Sequence, residues 1–394
     1  MNMSLIVQKF GGSSVKDTQR MKAVAKRIVQ SHREGNQLVV VVSAQGKTTD
    51  GLIEKAAEVT AKPSAREMDV LLSAGEQMSA ALLAMALEQE GCPAVSLCGW
   101  QIAIHTDGTH QNARISQVDT ERIQRLLNQG FVVVAAGFQG VDEEENITTL
   151  GRGGSDTTAV ALAAALNAER CQIFTDVEGV YTADPRVVKT AEKLREISCN
   201  DMLVMASMGA KVLHDRSVEL AKEKQVTLEV LSSFSDGEGT IVRGVRDGLP
   251  SMKGITADRG TVRWYLPSVS LEDAGRLMLE LYRREIRPDL TEQPGAEQLI
   301  FTVSAHNRAE VENALQQLNL TADADESWAK VSVVGSGMHS FPNIKRQFLD
   351  ALEQVEIPTR GCWLGERRYS VLVPRERCSE AMEVLHGILL RYHR

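Results

Sequence analysis

The sequence predicts an α/β protein in which a mainly parallel sheet lies between helices, followed by two small α+β modules. Three observations carry this expectation. Up to about residue 245, short β-branched runs alternate with longer segments of helical period, the order that parallel crossovers require. Two glycine turns, at residues 9–15 and 151–158, follow strands or hairpins, where an open α/β sheet places its ligands. Beyond residue 253 the pattern shortens to two units of strand, loop, helix, strands and helix.

The elements follow in order. Leu5–Gln8 reads as a buried strand that breaks into Lys9-Phe10-Gly11-Gly12-Ser13-Ser14-Val15 before the helical period of Thr18–Ser31. Leu38–Val42 is a second strand, followed by the hydroxyl-bearing loop Ser43–Asp50 and a long helix, Ala65–Glu90, interrupted by Gly75. Strands Ala94–Leu97, Val132–Ala136, Gln172–Thr175 and Thr227–Leu231 then alternate with helices Asp119–Gln129, Asp156–Leu166 and Gly209–Glu223. Glycine and charge over Ser235–Gly239 and Gly244–Ser251 mark a linker. Helical patterns at Leu271–Arg284 and Ala309–Leu318 belong to the first small module. The second starts at Val331–Val334 and has helices at Asn343–Val355 and Ser379–Leu390. The expected boundaries are 1–245, 253–325 and 326–394.

With 394 residues, the chain exceeds what one core usually serves. Its 44 basic and 52 acidic residues give a net charge of −8, which argues against a nucleic-acid surface. No apolar run approaches a membrane span and no secretory signal opens the chain, so the expectation is a cytoplasmic protein. The six cysteines lack zinc-type spacing and read as packing residues of a reducing compartment. His105, Asp107 and His110 fall in a hairpin-like segment, not a metal site, and Asp142–Glu145 reads as a solvated turn.

The glycine turn after the first strand exposes backbone N–H groups to one point, which suits an anion. Lys9 beside it makes a phosphate the natural ligand, because a lysine is a compact charge that can follow phosphoryl oxygens. In the second turn, Gly151-Arg152-Gly153-Gly154-Ser155-Asp156, Arg152 can grip a carboxylate or phosphate bidentately, and Asp156 begins a helix where its charge is favourable. Glu76 alone would be a solvated carboxylate; its functional reading depends on its neighbours. The loop after residue 175 combines Asp176, suited to ribose or amine, Tyr181, able to pack on a base, and Arg186, suited to phosphate. Lys211 stands at a glycine-marked helix start. Together with Lys9 and Arg186 it would offset a triphosphate's charge.

The segments KFGGSSV (9–15), SAGE (73–76), GRGGSDTTA (151–159), TDVEGVYTADPR (175–186) and SMGAKVLH (207–214) resemble the signature blocks of the aspartate kinases, in the same order. The resemblance is to the single-function bacterial type and implies the amino-acid-kinase fold followed by tandem ACT (ferredoxin-like) modules. It implies ATP-dependent phosphorylation of the β-carboxylate of L-aspartate, the first step toward lysine, threonine and methionine, with Mg2+ held largely by phosphate oxygens and water. It implies that Lys9 and Asp156 are catalytic and that Ser43, Thr49, Glu76, Arg152 and Ser155 bind aspartate. Gly11, Gly12, Ser13, Thr175, Asp176, Tyr181, Arg186 and Lys211 would bind ATP, and no protein ligand to the metal is implied. A homo-oligomer with an amino-acid effector at the ACT modules is the further expectation. A kinase for a substrate with a blocked amine is disfavoured by Glu76, which needs an ammonium partner. A silent ACT-type sensor would have lost Lys9, Arg152 or Asp156. Two effector-contact regions, Leu266–Asp273 and Gly361–Arg367, depart from the family pattern, from which weakened or altered feedback by lysine or threonine is expected.

Overall fold

The computed structural model describes residues 4–244 and 249–392. Residues 245–248 of the expected linker, and with them the expected boundary at 245, lie outside the described residues. The chain forms two compact units. One contains the described residues within 1–180, 193–206 and 211–246, and the other contains those within 181–192, 207–210 and 247–394.

In chain order the first unit is built from β1 (Leu5–Phe10), α1 (Thr18–Arg33), β2 (Gln37–Val42), α2 (Thr48–Val59), α3 (Ala65–Gln89), β3 (Ala94–Leu97), α4 (Gly99–Ile102), β4 (Ile104–Thr106), β5 (Ile115–Val118), α5 (Glu121–Asn128), β6 (Val132–Ala136), β7 (Gln139–Val141), β8 (Ile147–Thr149), α6 (Gly154–Ala165), β9 (Arg170–Thr175), β10 (Glu196–Ser198), α7 (Cys199–Ser207), α8 (Asp215–Glu223), β11 (Leu228–Ser232) and β12 (Thr240–Arg243). Eight strands form one sheet in the order β10-β12-β11-β9-β1-β2-β6-β3, parallel except where β11 meets β12. The five residues Leu38–Val42 are wholly buried, as a central parallel strand covered on both faces must be. Apolar residues of α1 and α3 pack with Ile6, Phe10, Val40 and Val134 on one face. Helix α6 lies against β1, β2 and β9 and is buried almost all round, which its alanine-rich sequence permits.

Four short strands form a separate small sheet, β5-β4-β7-β8, whose first hairpin contains His105. The turn 142–145 joins β7 to β8, but its aspartate is not solvated: Asp142 is buried and accepts the amides of Glu144 and Asn146. The helix expected over Gly209–Glu223 begins only at Asp215. Gly209 has φ +112°, and a side chain there would meet the Ala257 carbonyl oxygen at 2.6 Å, so this stretch cannot be helical. Contrary to expectation, α3 is long and apolar enough, by length and composition alone, to cross a membrane. Half of that stretch is buried within the fold, and Asp69 and Glu76 lie among its buried residues.

The second unit contains β13 (Ser251–Asp258), β14 (Thr261–Leu266), α9 (Leu271–Arg283), β15 (Asp289–Glu292), β16 (Leu299–Ser304), α10 (Arg308–Gln317), β17 (Asp323–Asp325), β18 (Trp328–Ser336), α11 (Ile344–Gln354), β19 (Arg360–Leu364), β20 (Arg368–Pro374) and α12 (Cys378–Tyr392). Two four-stranded antiparallel sheets result, β15-β16-β14-β17 and β13-β18-β20-β19. Strand β13, expected to open the first module, instead pairs with β18 along its length and completes the second. The first module is therefore inserted between β13 and the rest of the second. Segment 181–192 also joins this unit: the Thr182 carbonyl accepts the Ile255 amide at 2.7 Å, and its hydroxyl pairs with His386 Nε2 at 2.9 Å. Ala183 and Val188 are buried in the same core.

Candidate active site

The carboxyl ends of the central strands are stitched together just beyond the sheet. Gly11 N donates to Phe174 O at 3.3 Å, Ser43 N to Phe10 O at 3.2 Å, and Gly137 N to Val42 O at 3.1 Å. The turns after β1, β2 and β6 consequently leave the sheet at one edge, where a parallel sheet presents its ligand site.

Lys9 is the penultimate residue of β1. Side chains alternate along a strand, so it points away from the face where Ile6 and Phe10 pack with α1 and α3. On the opposite face, α6 brings its first turn to the sheet. Lys9 Nζ lies 2.6 Å from Asp156 Oδ1, and both side chains are only 12 % exposed. The carboxylate sits at a helix start, where the dipole favours negative charge. Its pairing aims the ammonium at the glycine turn: a side chain at Gly11 would lie 3.5 Å from Nζ.

Two glycines allow the second strand's loop to close over this turn. A side chain at Gly12 would meet the Ala44 carbonyl oxygen at 2.6 Å, and one at Gly75 would meet Ala44 Cβ at 2.8 Å. Ala44 is thereby held between the β1 turn and α3, and its amide donates to Glu76 Oε1 at 3.0 Å. Glu76 Oε2 is buried with no partner among the described residues. Burial pushes the Glu76 carboxyl up to about 7, against the lowering influence of the Ala44 amide and the Lys9 charge. A buried carboxyl group with one committed and one open oxygen is chemically suited to a hydrogen-bond donor such as an ammonium group.

Ser43 and Thr49 are half-buried on the loop after β2 and in the first turn of α2, and Ser155 is buried at the start of α6. Arg152 projects into solvent from the turn ahead of α6, with no hydrogen bond or ion pair among the described residues. Ser13 is exposed at the β1 turn. Thr175 ends β9 and its hydroxyl donates to Asp176 Oδ1 at 3.1 Å. Lys211 is exposed in the loop between α7 and α8, not at a helix start as expected. Tyr181 and Arg186 belong to the second unit. Arg186 is engaged there by Asp184, at 2.8 Å from Nη2 and 3.0 Å from Nε, and this pairing holds the Asp184 carboxyl below its usual range.

Sequence reasoning missed Arg216. Its guanidinium donates to Leu150 O and Asn112 Oδ1, each at 2.6 Å, and to Ala113 O at 3.0 Å, tying the approach to Gly151 in place. Nothing in the sequence around it distinguishes it from the polar face of an ordinary helix.

Residues 4–232 match the model of the amino acid kinase family, and residues 331–389 match that of the ACT domain. The aspartokinase of Geobacillus stearothermophilus is 45 % identical over 394 residues, covering 98 % of this chain and 97 % of that protein. Aspartokinase 2 of Bacillus subtilis is 41 % identical, over 98 % of this chain and 97 % of its own. The crystal structure of E. coli aspartokinase III in complex with aspartate and ADP superposes with a TM-score of 0.84 at 25 % identity, covering 98 % of this chain and 100 % of that one. The T-state structure of that enzyme, with lysine and aspartate, gives 0.76 over 98 % of this chain and 99 % of that one, also at 25 % identity. With a charge-paired lysine at a glycine turn, a buried carboxylate beside it and full-length similarity of this order, the chain belongs to the amino acid kinase family and, within it, to the aspartokinases, kinases of aspartate.

Proposed function

We propose that this kinase divides its work between a clamp on the ends of L-aspartate and a charge-neutralising cradle for the transferred phosphoryl group. Glu76 takes the α-ammonium on its open Oε2, Arg152 takes the α-carboxylate, and Ser43, Thr49 and Ser155 complete the contacts. The β-carboxylate oxygen attacks the γ-phosphorus of ATP, the bond to the β-phosphate oxygen breaks, and 4-phospho-L-aspartate and ADP result. The nucleophile is already ionised and needs no general base, so alignment and electrostatic stabilisation supply the catalysis. Lys9, oriented by Asp156 and flanked by the Gly11 and Gly12 backbone, neutralises the charge that develops on the phosphoryl oxygens. Ser13, Thr175, Asp176 and Lys211 serve the nucleotide.

Asp156, the carboxylate beside the glycine cradle, is committed to Lys9 at 2.6 Å. The residues present therefore fit a Mg2+ ion held by phosphate oxygens and water. When bound, the metal would neutralise phosphate charge and help align the leaving group.

The reading extends to a cytoplasmic homo-oligomer with an amino-acid effector site in the ACT modules and feedback weakened by the departures at 266–273 and 361–367. The observation that carries the catalytic proposal is the desolvated Lys9–Asp156 pair at the glycine turn. ADP release measured with L-aspartate, L-glutamate and N-acetyl-L-glutamate tests it: turnover is expected with L-aspartate, and K9A is expected to lower kcat by about 10²–10³ with folding intact. Equal turnover of wild type and K9A would overturn the assignment.

A further inference from the structure

The mechanism leaves one buried charge on α3 unexplained. Asp69 is fully buried. It lies seven residues, two helical turns, before Glu76 and therefore on the same face. A carboxylate in such a place must be fully satisfied, and this one is. Its Oδ1 accepts the Thr149 hydroxyl at 2.5 Å, its Oδ2 accepts His110 Nδ1 at 2.8 Å, and the Gln111 amide reaches both oxygens at 3.1 Å.

These donors come from two segments that converge on the second glycine turn. Thr149 ends β8, three residues before Arg152. His110 and Gln111 lie in the loop between β4 and β5, and the Ala113 amide of that loop donates to Thr149 O at 3.0 Å. Arg216 holds the same pair of segments through Leu150 O and Ala113 O. Helix α3 thus carries Glu76 and, through Asp69, fastens the strand end that leads into the turn of Arg152.

We propose that Asp69 is a positioning residue that fixes Arg152 relative to Glu76 and so sets the length of amino acid the clamp accepts. The proposal rests on the assignment of Glu76 and Arg152 as the two ends of that clamp. Asp69 does not touch substrate. It acts by making the helix and the Arg152 turn one rigid frame, and a frame loosened by an ångström loses about 10²-fold in productive alignment.

The test uses the full-length enzyme with D69N, T149V and T149S. D69N is expected to raise KM for L-aspartate by about tenfold or more, to leave KM for ATP unchanged, and to shift the ratio of kcat/KM values toward L-glutamate. T149V shifts the same parameters in the same direction, and T149S, which keeps the hydroxyl, restores them. Hydrogen exchange at amides 149–153 accelerates in D69N. A D69N enzyme with lowered Tm but unchanged KM for L-aspartate and unchanged substrate ratio would overturn the proposal, as would equal rises in KM for ATP and L-aspartate. Should D69N fail to fold, T149V against T149S decides between the same outcomes. If wild type failed to phosphorylate L-aspartate, the clamp assignment would fall, while unchanged exchange at 149–153 would separately overturn the role of Asp69.

Discussion

Glu76 shows how one buried side chain can give an enzyme a pH dependence. Its carboxyl is raised from an ordinary 4.5 to about 7 by burial, so in the free enzyme it ionises across the neutral range. An aspartate ammonium needs the ionised form. Affinity for L-aspartate should therefore rise about tenfold between pH 6 and pH 8, as the ionised fraction does. The stability linkage has the opposite sign: an acid with a raised folded pKa favours the folded state most below 4.5, and that contribution is lost as pH rises toward 7. E76Q should flatten the pH profile of KM for L-aspartate and raise KM by about 30-fold or more, the loss of a hydrogen bond to a charge. Steady-state kinetics from pH 6 to 8 checks both, and an unaltered profile in E76Q would assign the titration elsewhere. Glu76 was legible only through its SAGE segment, because an isolated glutamate in a helix gives no sign of burial. Lys9 and Asp156 stood out as charges beside glycine turns, but their pairing at 2.6 Å is a contact between distant residues that only the structure displays.

Among elements, the contact between α3 and the loop after β2 decides the site's shape. Gly75 lets Ala44 approach α3, and that approach delivers the amide that orients Glu76. G75A should displace this loop, lower stability by about 1–3 kcal/mol, as overpacking does, and raise KM for L-aspartate more than KM for ATP. Thermal unfolding with paired KM measurements tests the claim; equal KM values in G75A and wild type would refute it. The central strands and the long helices were legible because their periods are unmixed. Helix α2 was not distinguished as an element, and the β4–β5 hairpin was read only as a hairpin-like segment around His105 without strand bounds, since short segments give weak periodic signals and depend on partners distant in sequence. The late start of α8 reflects Gly209, whose positive φ no periodicity reveals.

Across the whole molecule, each unit depends on charges that only folding brings together. In the second, Asp289 accepts Lys330 Nζ at 2.7 Å and Arg368 Nη2 at 2.5 Å. Burial pushes the Asp289 carboxyl up, but the bonds and charges of Arg368 and Lys330 more than offset this and hold it far below the usual range. Its contribution to stability is present above the ordinary 3.8 and is lost as pH falls below that value. D289N would strand two largely buried cations and should destabilise this unit by about 3–5 kcal/mol, read as a shifted denaturant midpoint. An unshifted midpoint would mean that the cations find other partners. The effector departures belong to this scale too: lysine or threonine, added singly, is expected to inhibit weakly, and strong inhibition by either would refute altered feedback.

By itself the sequence determined the fold class and the family, because βαβ alternation and glycine turns are local patterns with local causes. Only the tertiary structure decided that β13 completes the second ACT module and that segment 181–192, with Tyr181 and Arg186, joins the second unit. Only it revealed that Asp69 and Arg216 converge on the turn of Arg152. Strand pairing and the burial of charge are relations between distant residues. They are settled by which apolar faces must be covered and which buried polar groups must find partners, and neither is written in any single stretch of chain.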